Sequence, residues 1–311
     1  MKTLFSLLII ILAVAACSPN HSESTQDTNG LRPLTIATLP AMDIVPIFIA
    51  RDLGFFEAEG LTVHLEQFSS GGERDMAFQA QGSIDALLTD LVAVNIFQEA
   101  GLDIVAVFST IGITSVVGTA GVTTMADLQG QEVLITFNTA MEYVMDRALL
   151  SAGLTMADVV GVSVPPLPTR LEMLLAGNGA GAVMPEPFVS MATDQGLIEI
   201  ISSHGLNINP FTISFRRSVV ENYPAELAAF YRAVNNAIDF INTADREAFI
   251  DIIIREVGYP QEARDTLVVP PFPRYTTPQI HHVEDVIEFA YSRGLTSQRF
   301  SPESQIADIS N

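Results

Sequence analysis

The side chains in this sequence with chemistry to offer are three acids, two groups of hydroxyls at helix starts, and one cysteine. Asp90 and Glu186 each come just after a short apolar run that reads as a strand, and Asp43 follows another across Pro40. A carboxylate in such a place accepts hydrogen bonds from amines or ring N–H groups, and its charge strengthens them. Ser69-Ser70-Gly71-Gly72 and Asn138-Thr139 stand where helices begin, and Thr89 adds a hydroxyl beside Asp90. A helix start carries unpaired N–H groups and partial positive charge, which suits an anion or a carbonyl oxygen. The same residues also serve as plain N-caps. A bound anion beside three carboxylates would need a cation, and none is evident: Lys2 is the only lysine and the nearest arginines lie in predicted helices. The acids therefore favour an amine-bearing or heterocyclic ligand. Tryptophan is absent, so Phe48, Phe68, Phe137 and Phe188 are the remaining candidates for a ring platform.

Nothing in the spacing suggests catalysis, a cofactor or a metal. His21, His64, His204, His281 and His282 are scattered or adjacent, and no His-x-x-x-His pair or Gly-x-Ser-x-Gly elbow occurs.

The elements that must position these residues alternate between strand and helix. Leu34–Leu39, Thr62–Phe68, Ala86–Leu88 and Ile104–Ser109 read as strands. Val45–Leu53, Glu73–Gln81 and Leu91–Ala100 read as helices between them. That is the pattern of βα units around a mostly parallel sheet, and in such sheets ligands sit beyond the carboxyl ends of the strands. From Ala225 to Arg293 the chain reads as mainly helical, with Ala228, Tyr231, Val234, Ala237, Ile238 and Ile241 as the core stripe.

The first half has an echo. Asp43, Gly60-Leu61, Gly82 and Asp90 recur in order as Glu142, Gly153-Leu154, Gly177 and Glu186. Two similar lobes facing one another would produce this. Ser115–Thr119 and Phe211–Phe215 are the expected crossover strands. Lobe 1 is then 33–117 with 210–311, and lobe 2 is 118–209, with a hinge between them.

The N-terminus reads as an export signal. Met1-Lys2 is followed by an apolar run from Leu4 to Val14, too short for the about 20 residues of a membrane span. Val14-Ala15-Ala16 before Cys17 resembles the bacterial lipoprotein cleavage box. This implies a signal peptide over 1–16, a lipid on Cys17 and attachment to the membrane through it. Residues 17–32 would be a polar tether. Cys17 is the only cysteine, so no disulfide is expected. Fifteen basic residues stand against 36 acids, for a net charge of −21, which argues against nucleic-acid binding.

Four blocks in order carry a family resemblance. Ala50-Arg51-Asp52-Leu53-Gly54-Phe55-Phe56-Glu57-Ala58-Glu59-Gly60-Leu61-Thr62-Val63 is similar to the opening of ABC-importer binding proteins for nitrate, sulfonates, taurine and thiamine-pyrimidine precursors. Ser70-Gly71-Gly72 with Gly82-Ser83-Ile84-Asp85-Ala86, then Asp127-Leu128-Gln129-Gly130-Gln131-Glu132-Val133, then Glu186-Pro187 resemble later blocks of the same family. The resemblance runs from about Leu34 to Thr243. It implies an α/β chain with the type II periplasmic-binding-protein fold: two α/β lobes joined by two crossover strands, with a ligand cleft between them. It further implies a monomer outside the cytoplasm that hands one small solute to an ABC permease and its ATPase. The alternatives are the same role for nitrate, a sulfonate or taurine, and an enzyme, since some relatives of this fold are enzymes. The expected ligand contacts are Asp43, Ser69, Ser70, Gly71, Gly72, Thr89, Asp90, Asn138, Thr139 and Glu186.

Overall fold

The computed structural model describes residues 30–309. The expected signal peptide, Cys17, His21 and most of the expected tether lie outside the described residues. The end of that tether is part of the fold. Leu31 packs against the core, and Arg32 pairs with the buried carboxylate of Asp85 at 2.7 Å.

Two five-stranded sheets with the same arrangement make up the body. The first is built from β1 (Leu34–Thr38), α1 (Val45–Asp52), α2 (Phe55–Ala58), β2 (Val63–Gln67), α3 (Gly71–Ala80), β3 (Ala86–Asp90), α4 (Leu91–Glu99) and β4 (Ile104–Ser109). The second is built from β5 (Thr114–Gly118), β6 (Glu132–Ile135), α5 (Ala140–Ser151), β7 (Val160–Ser163), α6 (Leu167–Leu175), β8 (Gly181–Pro185), α7 (Phe188–Asp194) and β9 (Ile198–Ser202). The chain then returns to the first sheet through β10 (Phe211–Arg216). Strand order is β2-β1-β3-β10-β4 in one sheet and β7-β6-β8-β5-β9 in the other. In each, three parallel strands are followed by one antiparallel strand that arrives from the other lobe, β10 or β5.

The first change of sheet falls at residues 110–113, ahead of the 117/118 boundary read from the sequence, because β5 pairs wholly with β8 and β9. Gly112 allows this crossing. A Cβ there would meet the Phe211 ring at 2.3 Å, so the two crossing segments touch through a position that only glycine fits. The return crossing spans 203–210, where Asn209 Nδ2 donates to the Thr110 carbonyl at 2.7 Å and to Ser109 Oγ at 3.0 Å.

After β10 come α8 (Arg217–Asn222), α9 (Pro224–Thr243), α10 (Ile250–Ile253), α11 (Ile280–Ser292) and α12 (Pro302–Gln305). The expected helical stretch Ala225–Arg293 is interrupted at 266–279, where Pro270, Pro271, Pro273 and Pro278 remove donors and fix φ. On α9 the buried stripe centres on Leu227, Phe230, Ala233, Val234, Ala237 and Ile241; Ala228 and Tyr231 lie on its edge. Gly54, at φ 77, ends the turn after α1, and Phe56 stacks on Phe230 at 5.4 Å, so the Gly-Phe-Phe block builds the core. No helix among the described residues is long and apolar enough to cross a membrane.

Each sheet has an apolar cluster on either face. A further cluster belongs to both lobes: Leu91 and Val92 of α4 and Val283, Val286, Ile287 and Phe289 of α11 pack with Tyr143 and Val144 of α5.

Candidate functional site

The carboxyl ends of β1, β3, β6 and β8 bring most of the expected residues to the facing edges of the two sheets. In the first lobe Asp90 ends β3 and caps α4, its Oδ1 accepting from the Ala93 N–H at 2.9 Å. Burial pushes its carboxyl up. The N–H of Ala93, the charge of Arg74 and the Ala140 N–H at the start of α5 in the other lobe act in the opposite direction. The Asp90 carboxyl is thus close enough to the start of α5 to feel it.

Asp43 is buried beneath the hinge. Its Oδ2 accepts from the Thr110 hydroxyl at 3.0 Å, and loss of solvent pushes its carboxyl up to about 6. Thr89 is buried beside Arg74, whose Nη2 lies 3.4 Å from its hydroxyl. Ser69 and Ser70 serve the start of α3. Ser70 Oγ accepts from the Glu73 N–H at 3.3 Å, and the Ser69 hydroxyl donates to Glu73 Oε2 at 2.5 Å. Gly71 and Gly72 open that helix, with Gly72 exposed.

In the second lobe Thr139 caps α5, accepting from the Met141 N–H at 3.2 Å and donating to the Thr136 carbonyl at 2.8 Å. Asn138 before it has φ 61, a left-handed conformation uncommon outside glycine. Glu186 stands at the start of α7 and accepts from the Ser190 N–H at 3.2 Å and the Ser190 hydroxyl at 3.0 Å. Burial pushes its carboxyl up, and no cation among the described residues pairs with it. Tyr259 carries a buried hydroxyl without a partner among the described residues; burial raises it first and the Glu186 charge adds to that. Of the ring candidates, Phe48 is core, and Phe68, Phe137 and Phe188 pack half-buried against apolar clusters.

The sequence reading missed the cations. Arg74 on α3 and Arg170 on α6 turn inward under the strand ends. They are separated by the same interval as Asp90 and Glu186, so they belong to the echo. Arg74 donates to the Leu88 carbonyl at 2.6 Å and pairs with Asp75 at 2.7 Å. Arg170 is wholly buried and has no carboxylate partner among the described residues. Its guanidinium donates to the carbonyls of Val164 and Val183, to the Thr136 hydroxyl and, at 3.0 Å, to the Met141 sulfur. Desolvation pulls it down to about 10, so it is charged at neutral pH. The start of α5 therefore has a buried positive charge below it. The signal that could have found these arginines was their place in the echo; their helical position made them look like surface residues.

A family model described as the NMT1-like family matches residues 27–254. No curated protein matches the chain in sequence. Among solved structures, the alkanesulfonate-binding protein from Xanthomonas axonopodis pv. citri, bound to MOPS, superposes with a TM-score of 0.76 at 17% identity, covering 90% of this chain and 99% of that one. The periplasmic aliphatic sulphonate binding protein from Escherichia coli gives 0.75 at 20% identity, covering 88% and 97%. The periplasmic nitrate-binding protein from Synechocystis PCC 6803 gives 0.69 at 14% identity, covering 88% and 84%. At these identities the likeness speaks for the fold.

Proposed function

From the premise that this chain belongs to the NMT1-like family and has the two-lobed periplasmic-binding-protein fold, we propose that it captures a small solute outside the cytoplasm and presents it to the permease of an ABC importer. Binding rather than catalysis is supported by the acids at the cleft, each of which is engaged with a protein hydroxyl or backbone N–H. Attachment would come through a lipid on Cys17; a Cys17→Ser variant recovered from the membrane fraction as the parent is would remove that part.

The solute is one with an anionic, oxygen-rich head group, of the sulfonate class. The observation that carries this is Arg170, a buried cation with no carboxylate partner among the described residues, under the start of α5. Its charge and the helix start act on the same place. The sulfonate- and nitrate-binding proteins that share the fold agree with it. Closure follows if the head group binds the second lobe and the remainder of the solute contacts the first, since only contacts to both lobes favour the closed form.

One observation favours an amine-bearing or heterocyclic solute as the second reading. Glu186, half-buried and with no cation partner among the described residues, lies near enough to the buried Tyr259 hydroxyl to act on it. A ligand amine with two N–H groups would donate to both oxygens.

A thermal-shift screen separates the two. Methanesulfonate, taurine, nitrate and an aminopyrimidine are each offered well above their dissociation constants, where a hundredfold excess adds roughly 2.7 kcal/mol. Stabilisation by methanesulfonate supports the anionic reading. Stabilisation by the aminopyrimidine alone replaces it with the second.

A further inference from the structure

The turn that begins α5 is held from outside its own lobe. Asn138 adopts its left-handed conformation with its N–H donating to Glu142 Oε2 at 2.6 Å. Glu142 is 1% exposed, and its other oxygen accepts from Arg293 Nε at 3.0 Å and Nη2 at 2.5 Å. Arg293 stands at the end of α11, the helix that packs along α4 of the first lobe. Both oxygens of a buried carboxylate are thus used, one on the turn and one on the opposite lobe. A carboxylate this buried keeps its place only with such a partner.

We propose that Arg293 is a positioning residue of the solute site: from the first lobe it fixes Glu142, which fixes the turn at Asn138 and with it the start of α5 at the cleft. This rests on the reading that the solute head group binds at the start of α5. Without Arg293, Glu142 loses its fixed place, and the turn must be ordered at the moment of binding, which weakens affinity. The arrangement makes the second lobe's half of the site competent only when the lobes lie together, since Arg293 reaches Glu142 only then.

The same helix pair supplies the control. Arg147 and Tyr143 of α5 both hold Asp285 of α11, at 2.8 and 2.5 Å. That cluster joins the same two helices without touching the 136–139 turn.

The test uses Arg293→Gln, the milder Arg293→Lys, and Arg147→Gln in the full chain. Hydrogen exchange of segment 137–142 is measured without solute, and methanesulfonate affinity is measured by calorimetry. The expected result is at least tenfold faster exchange and at least tenfold weaker affinity for Arg293→Gln, with Arg293→Lys between it and the parent because a point charge replaces a fork. Arg147→Gln should change both by less than twofold, even where it lowers the melting temperature as much. Equal effects from Arg293→Gln and Arg147→Gln, or unchanged exchange in Arg293→Gln, would overturn the assignment. Should Arg293→Gln not fold, the Arg293→Lys comparison decides by the same criteria. If exchange rises as expected but methanesulfonate does not bind the parent protein, the brace stands and the anionic reading of the solute fails.

Discussion

The two lobes share strand order and even a buried arginine, on α3 in one and α6 in the other, yet the electrostatics at their facing edges differ. In the first lobe Arg74 lies among acids: it pairs with Asp75, and its charge acts on Asp43 and Asp90. In the second lobe Arg170 meets only carbonyls, a hydroxyl and a thioether. The counterpart of Asp43 in the echo, Glu142, is neutralised by Arg293. One framework thus presents a compensated edge on one side and an uncompensated positive one on the other. Duplicated topology fixes where ligand groups can be met; the local partners of two arginines decide which groups they are.

Removing that asymmetry at its source should have the largest effect. Arg170→Met leaves the Val164 and Val183 carbonyls and the Thr136 hydroxyl without their donor, at about 1–3 kcal/mol for each buried group left unsatisfied. Sulfonate affinity should fall by roughly 100-fold or more, the scale of a lost charge-assisted site. Arg74→Met should destabilise less and alter sulfonate affinity less. Urea melts and calorimetry of both variants check this, and equal losses of affinity would erase the contrast between the lobes.

Asp43 offers a pH test of the compensated edge. Its folded value near 6 lies above the ordinary 3.8, so the folded state holds this proton more tightly. Its contribution therefore lowers stability as pH rises from about 4 to 6, by about 3 kcal/mol in total, and the cost persists above that window. Asp43→Asn keeps an acceptor for Thr110 and should flatten this part of the stability–pH curve. Denaturant midpoints from pH 4 to 8 that run parallel in the two proteins would show that Asp43 carries no such burden.

Removing carboxylates from the cleft should tell the two solute readings apart more finely. Asp90→Asn deletes a negative charge facing the start of α5, and should tighten methanesulfonate binding by about three- to tenfold as like-charge repulsion is lost. Glu186→Gln should leave methanesulfonate nearly unchanged and weaken taurine if the ammonium group lies there. Weaker sulfonate binding in Asp90→Asn would mean that the carboxylate assists the ligand and that the head group sits elsewhere.

Much of this organisation was legible in the residues. Asp90 and Glu186 do fall at matching strand ends, and the glycines at 60 and 153 both have positive φ, because periodicity and turn chemistry are local. The limits were non-local. Arg74 and Arg170 look solvated on helices with ordinary composition, and only the packing of those helices across strand ends turns them inward. Likewise the Glu142–Arg293 contact joins residues far apart in sequence, across two lobes, with no spacing to announce it. The expectation that no cation serves the cleft failed for that reason.

The smallest expected effect isolates the two helix starts themselves. Ser70→Ala and Thr139→Ala each remove an N-cap, worth about 1 kcal/mol of stability in either lobe. If caps were all they are, both variants would lose that much and bind solute like the parent. The Thr139 hydroxyl, however, also ties the turn to the Thr136 carbonyl, directly above Arg170, whereas Ser70 caps a helix beside the edge strand β2. Thr139→Ala should therefore weaken methanesulfonate binding by a few-fold, consistent with losing about 1 kcal/mol of ordering, while Ser70→Ala should not. Paired melts and titrations of these two variants measure whether the second lobe's helix start is a binding element or, like its counterpart, only a capped helix.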